Sequence, residues 1–179
     1  MKKTILCLYF ILSVCNCAGA NIWASFNAFN SASSTLYDMH AGDIVGTYFD
    51  DTGVHGIVYH HDNGPSYVDV PDSTSTWLYG IQNETYVGSY KDESGCYGLL
   101  YDGTSCNKIN VPDSIATTVY GIDGNLLVGT YAKSSSTRGF LYDGMNWDYI
   151  DAPGATDTWI YDIYDGTVVG NYKDQRGNH

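Results

Sequence analysis

The residues of this chain that could do chemistry are few, and most lie beside tight-turn signals. His60-His61-Asp62 is the cluster most like a set of metal ligands. Adjacent residues of a strand point to opposite faces, and no third ligand recurs at a suitable spacing, so the triplet reads as a solvated hairpin tip. Asp50-Asp51-Thr52-Gly53 suggests calcium, but a calcium loop needs more convergent oxygens than this stretch offers. Turn stabilisation by the aspartate is the expected role. Trp77, Trp147 and Trp159 resemble stacking platforms for sugar rings, with carboxylates nearby to accept hydroxyl bonds. Cys96 and Cys106 flank a hairpin that turns near Asp102-Gly103. Regular pairing sets Cys106 opposite a residue near Leu99 to Tyr101, beyond disulfide reach of Cys96. A bridge there needs an irregular loop, and two free, partly buried thiols are the alternative. No G-x-S-x-G occurs, and no glycine loop leads into a helix, so no catalytic residue, metal site or cofactor is expected.

These residues must be positioned by a repeat. VGTY at 45–48, VGSY at 87–90, VGTY at 128–131 and VGNY at 169–172 recur 42, 41 and 41 residues apart. GIVYH, GLLYD and GFLYD keep step at 56–60, 98–102 and 139–143, as do VDVPDSTSTWLYGI, INVPDSIATTVYGI and IDAPGATDTWIYDI at 68–81, 109–122 and 150–163. The sole length change is one extra residue between Tyr59 and Pro71, where His60 and His61 sit. Such a period means one supersecondary unit stacked on copies of itself.

In the second unit Thr76–Ile81, Thr85–Tyr90, Tyr97–Tyr101 and Lys108–Val111 read as four short strands separated by turn signals, and Pro112 ends the last. The expected fold is all-β: tandem four-stranded antiparallel units of about 41 residues, β-propeller-like with about four blades and the last incomplete. An open β-repeat array is the alternative. The repeat cores fall at 34–75, 76–116 and 117–157, with a partial unit at 158–179. Gly46, Gly88, Gly129 and Gly170 lie inside a strand, where an aromatic ring from an adjacent sheet is expected to fill the missing side chain's volume. Trp77 and Trp159 correspond to Thr118, and Trp147 to Cys106. A repeated sugar site should keep its platform in every copy, so inter-sheet packing is the expected use of the tryptophans and ligand binding the alternative.

The phrases His55-Gly56-Ile57-Val58, Tyr97-Gly98-Leu99-Leu100 and Arg138-Gly139-Phe140-Leu141 resemble the core of the HAF-repeat family of extracellular repeats, with glycine in place of its alanine. The resemblance covers about residues 26–179. It implies export and a tandem β architecture, and carries no catalytic residues to this chain.

At the N-terminus, Lys2-Lys3, an apolar run from Ile5 to Val14 and the small residues Ala18-Gly19-Ala20 read as a signal peptide over 1–20, cut after Ala20. That leaves a single domain over 21–179. Lipid anchoring at Cys15, after Leu12-Ser13-Val14, is the alternative. The mature chain keeps 6 Lys/Arg against 20 Asp/Glu, since residues 1–20 carry two lysines and no acids. A net charge of 6 − 20 = −14 repels nucleic acid and anionic lipid. The expected function is that of a secreted, extracellular or periplasmic, non-catalytic binding module without a membrane-spanning segment. A lectin-like propeller that binds glycans or another cell-surface component is the alternative, and a glycan hydrolase or lyase the second. Counting strands gives one near Ile22 to Phe29, twelve in three units and two in the fourth, one short of four complete sheets. An unpaired edge at 167–172, open to self-association, is therefore expected.

Overall fold

The computed structural model describes residues 10–15, 21–26 and 33–179, and among them there are strands and turns but no helix. It is an all-β protein. β1 (Phe10–Cys15) pairs antiparallel with β2 (Asn21–Phe26) in a sheet of their own. The N-terminal strand expected near Ile22 to Phe29 thus pairs upstream, not into a repeat unit. The cleavage site expected at Ala18 and Ala20 lies outside the described residues.

The units follow as antiparallel meanders. The first is β3 (Ser33–His40), β4 (Asp43–Asp50), β5 (Gly53–His60) and β6 (Gly64–Val68). The second is β7 (Ser75–Gln82), β8 (Thr85–Lys91), β9 (Cys96–Tyr101) and β10 (Cys106–Ile109). The third is β11 (Ala116–Asp123), β12 (Leu126–Lys133), β13 (Ser136–Tyr142) and β14 (Trp147–Ile150). The fourth has β15 (Asp157–Tyr164), β16 (Thr167–Asp174) and the two-residue β17 (Gly177–Asn178). Parallel bridges at Val54–Ser75 and Cys96–Ala116 link the first three units into one ladder, while the fourth forms a separate sheet.

Local chemistry explains the joints. Asp50 and Asp92 each accept two backbone N–H groups of their own turn through Oδ1, at 2.7 and 3.3 Å from Thr52 and Gly53, and at 2.7 and 3.0 Å from Ser94 and Gly95. Asp174 accepts the Arg176 N–H at 2.7 Å. These are the side-chain-closed turns expected of Asp-x-x-Gly. Between units, the left-handed residue is Asp72, Asp113 or Gly154, with φ of 62°, 59° and 77°, types that tolerate that region. Just beyond, buried Thr76, Thr117 and Thr158 each accept one N–H, from Val70, Val111 and Ala152, all at 3.1 Å.

In each unit the first strand carries a β-bulge, between Leu36/Asp38, Leu78/Gly80, Val119/Gly121 and Ile160/Asp162. The strand glycines sit opposite these bulges. A Cβ on Gly46, Gly88, Gly129 or Gly170 would run into the carbonyl oxygen of Thr35, Trp77, Thr118 or Trp159. The expected aromatic ring is therefore not what these glycines admit. They admit the kinked backbone of the neighbouring strand in their own sheet.

The core lies between units. Val45, Val58 and Val68 of the first pack with Leu78, Ile81, Tyr86, Tyr90 and Leu99 of the second. Val87, Ile109 and Val111 meet Val119, Leu127, Tyr131 and Phe140 of the third, and Val128 meets Ile160 and Ile163 of the fourth. Each central sheet is thus apolar on both faces.

Candidate functional site

The bulge residues themselves are Tyr37, Tyr79, Tyr120 and Tyr161. Each is the extra residue of its first strand, left without a partner in the ladder. A bulge re-aims its side chain, and four equivalent bulges aim four rings into one row. Successive ring centroids are 5.0, 4.9 and 5.6 Å apart, at interplanar angles of 73°, 44° and 76°. The four rings line a cavity of about 460 Å³. Tilted and edge-to-face arrangements of this spacing are favourable for aromatic quadrupoles.

Neighbouring first strands are clasped at fixed spacing by side chains. The Ile81 N–H donates to Asp38 Oδ2 at 2.9 Å, the Gly124 N–H to Gln82 Oε1 at 2.6 Å, and the Asp165 N–H to Asp123 Oδ2 at 2.8 Å. The variable residue of the VGxY phrase serves the row. Ser89 and Thr130 hydrogen-bond the hydroxyls of Tyr79 and Tyr120, and Asn171 Nδ2 donates to the Tyr161 hydroxyl at 3.2 Å. Thr47, at the same place in the first unit, is fully buried, and its hydroxyl has no partner. Burial pushes the Tyr79 and Tyr120 phenols above their ordinary value. The row offers ring faces, ring edges and hydroxyls to the cavity. Such a row can hold a neutral, ring-bearing ligand.

The tryptophans do not converge. Trp147 stacks on Tyr142 at 4.2 Å and meets Phe140 edge-on at 5.3 Å, beside the core of the third unit. Trp77 and Trp159 lie half-buried on β7 and β15, and none of the three lines the tyrosine cavity. Cys96 and Cys106 are free. Cys96 pairs with Lys91, and Cys106 with Tyr101 at the far end of β9. Five residues of strand separate them along β9, about 17 Å at the usual rise, so the disulfide held open from the sequence is not formed.

His60 and His61 diverge. His61 is exposed and lies 3.7 Å from Asp62. His60 turns inward: Nδ1 is 2.9 Å from Asp43 Oδ2 and Nε2 is 3.0 Å from Ser66 Oγ. The other Asp43 oxygen accepts the His61 backbone N–H at 3.0 Å, which lowers this carboxyl's pKa, with lesser help from the two imidazoles. Among the described residues no group of three or more His, Cys, Asp or Glu side chains is placed to hold a metal ion. Asp43, His60 and Ser66 border a second cavity, of about 310 Å³, with Glu84, Tyr86 and Tyr101.

Both sites leave traces in the sequence. The bulge tyrosines recur with the same 42, 41 and 41 spacing as VGxY, but an apolar strand phrase does not announce a bulge. Asp43, His60 and Ser66 are separated along the chain and come together only through the pairing of β4, β5 and β6.

The chain matches no protein-family model and no curated protein. Among solved structures it is similar to a Pyrococcus horikoshii acylaminoacyl peptidase (orthorhombic crystal form), with a TM-score of 0.57 at 14% identity over 87% of this chain. The chain spans 25% of that protein's length. At this identity the likeness concerns fold alone.

Proposed function

We propose that this chain is an exported, propeller-like binding module whose inner row of tyrosines takes a neutral ring-bearing ligand, a carbohydrate before others. The observation that carries this reading is the row itself. Tyr37, Tyr79, Tyr120 and Tyr161 keep their type in all four units and line one cavity, whereas the tryptophan platforms alternate with Thr118 and Cys106. Repeated shallow contacts along one row suit an extended, multi-ring ligand, which gains avidity by number. The acidic balance disfavours nucleic acid and anionic surfaces. Four-stranded meanders in series, with first strands as neighbours, support the propeller reading. Residues 1–20 support export by cleavage at Ala20, with lipid anchoring at Cys15 as the other route, and the HAF-like phrases agree with an extracellular setting.

A neutral-oligosaccharide array followed by NMR titration tests this reading. Binding should shift tyrosine ring signals, and Tyr79→Ala or Tyr120→Ala should weaken it about three- to tenfold, the loss of one aromatic contact. Trp147→Phe should leave affinity unchanged. Ring signals unmoved by every glycan, or a bound glycan indifferent to Tyr79→Ala, would overturn the proposal.

A further inference from the structure

We propose that Ser66, His60 and Asp43 form a nucleophilic centre that hydrolyses carboxylic esters of neutral compounds. This goes beyond the binding reading, does not depend on it, and departs from the expectation of a non-catalytic chain.

The geometry assigns the roles. Asp43 Oδ2 at 2.9 Å from Nδ1 places the imidazole proton on that nitrogen. Nε2, 3.0 Å from Ser66 Oγ, is then free to accept the hydroxyl proton. Asp43 is anchored through its second oxygen by the His61 N–H, so it acts as the positioning residue. The His60 and Asp43 side chains are 29% and 26% exposed, sheltered yet open to the 310 Å³ cavity that Ser66 also lines.

A structural brace does not account for the residue types. The repeat closes this hairpin with aspartate. Asp102 Oδ1 accepts the N–H groups of Thr104 and Ser105 at 3.0 and 2.7 Å, and Asp143 Oδ1 those of Met145 and Asn146 at 2.7 and 2.6 Å. In the first unit His60 stands at that place, beside the chain's single inserted residue. Asp43 replaces Thr85, Leu126 and Thr167, and Ser66 replaces Asn107 and Asp148. Three departures from the repeat meet in one hydrogen-bonded line.

In the reaction, Ser66 Oγ bonds to the ester carbonyl carbon as its proton passes to His60 Nε2. The carbon–oxygen bond to the alcohol breaks, and His60 returns the proton to the leaving oxygen. Water then adds to the acyl-serine, giving its proton to His60. The carbon–Oγ bond breaks, Ser66 recovers a proton, and a carboxylic acid leaves. Glu84 and Asp43 at the cavity wall repel anionic esters, while Tyr86 and Tyr101 present aromatic surface to a neutral group.

The test is labelling by an alkyl fluorophosphonate, in which Oγ displaces fluoride, read by intact mass and peptide mapping. One adduct on Ser66 is expected, absent in Ser66→Ala, with p-nitrophenyl acetate hydrolysis lost in parallel. His60→Ala should slow labelling by about a hundredfold or more, the usual worth of a general base. In Asp43→Asn, nitrogen NMR of His60 should show the ring proton moved from Nδ1 to Nε2, a change that loss of packing alone does not produce. No adduct on Ser66, or labelling at the full rate in folded His60→Ala, would overturn the proposal.

Discussion

Six aspartates are held below the ordinary carboxyl value of 3.8 by specific donors. The leading donor is a backbone N–H for Asp43 (His61), Asp102 (Ser105), Asp157 (Thr137) and Asp174 (Arg176), and a side chain for Asp50 (Thr52) and Asp143 (Asn146). In the unfolded chain these groups take protons first as pH falls, so the stability they add is complete above about pH 5 and lost as pH drops through their lower folded values. The tyrosines act in the opposite direction. Burial pushes Tyr48 up to about 12 and also raises Tyr86, Tyr90 and Tyr131. Their contribution is complete below the ordinary value of 10.0 and declines as pH rises through the folded values. Urea midpoints against pH should therefore form a plateau with losses at both ends, and the alkaline loss should coincide with tyrosinate absorbance. A midpoint that holds flat into strong acid would contradict the acid arm. At this scale the Asp-x-x-Gly turns were legible, because the aspartate's partners are two and three residues away. Ser66 and His60 were not, because their meeting depends on strand pairing.

At the scale of elements, the bulge and its facing glycine form one device. Gly88 pairs with Leu78 at the end of the regular β7–β8 ladder, and a Cβ there meets the Trp77 carbonyl, which is backbone and cannot swing aside. Gly88→Ala should destabilise the fold by about 1–3 kcal/mol or more, the usual cost of overpacking, seen as a lower thermal midpoint. An unchanged midpoint would mean that β7 can retreat. The four strands of each full unit and their turns could be read from the sequence, because alternation and turn residues are local, whereas β1 and the two-residue β17 were not expected. That Gly46, Gly88, Gly129 and Gly170 are tightly approached was also legible. The approaching group was misread, since only the bulge shows that the first strand's backbone, not a neighbouring ring, fills the space. The same bulge hid the tyrosine row, because an extra residue breaks the period-two rule by which Tyr79 and Tyr120 would be assigned a face.

For the whole molecule, the ends differ from the middle. Val45, Val87 and Val128 are fully buried by the next unit, whereas Val169 is 56% exposed. At the other end Met39 is 59% exposed, where its counterparts Ile81 and Ile163 are 4% and 3% exposed. The expected edge is only partly open: Tyr172 exchanges both backbone hydrogen bonds with His179, and Lys173 and Asp174 pair with β17. Along 167–171, β16 has no second partner among the described residues. Exposed Val169 and the open edge along 167–171 make a surface on which copies of this polypeptide are expected to associate. Sedimentation should show mass rising with concentration, and Val169→Lys should suppress it. Monodisperse monomers at high concentration would count against association. The break in the ladder has a mechanical corollary. Single-residue backbone bridges join β5 to β7 and β9 to β11, whereas β15 is joined to the third unit by side chains: the Thr137–Asp157 and Asp123–Asp165 bonds, the Tyr120–Tyr161 contact and the cluster of Val128, Ile160 and Ile163. Tension applied to β17 therefore meets a joint of side chains first, and the fourth sheet should part from the third before the backbone-bridged units part from one another.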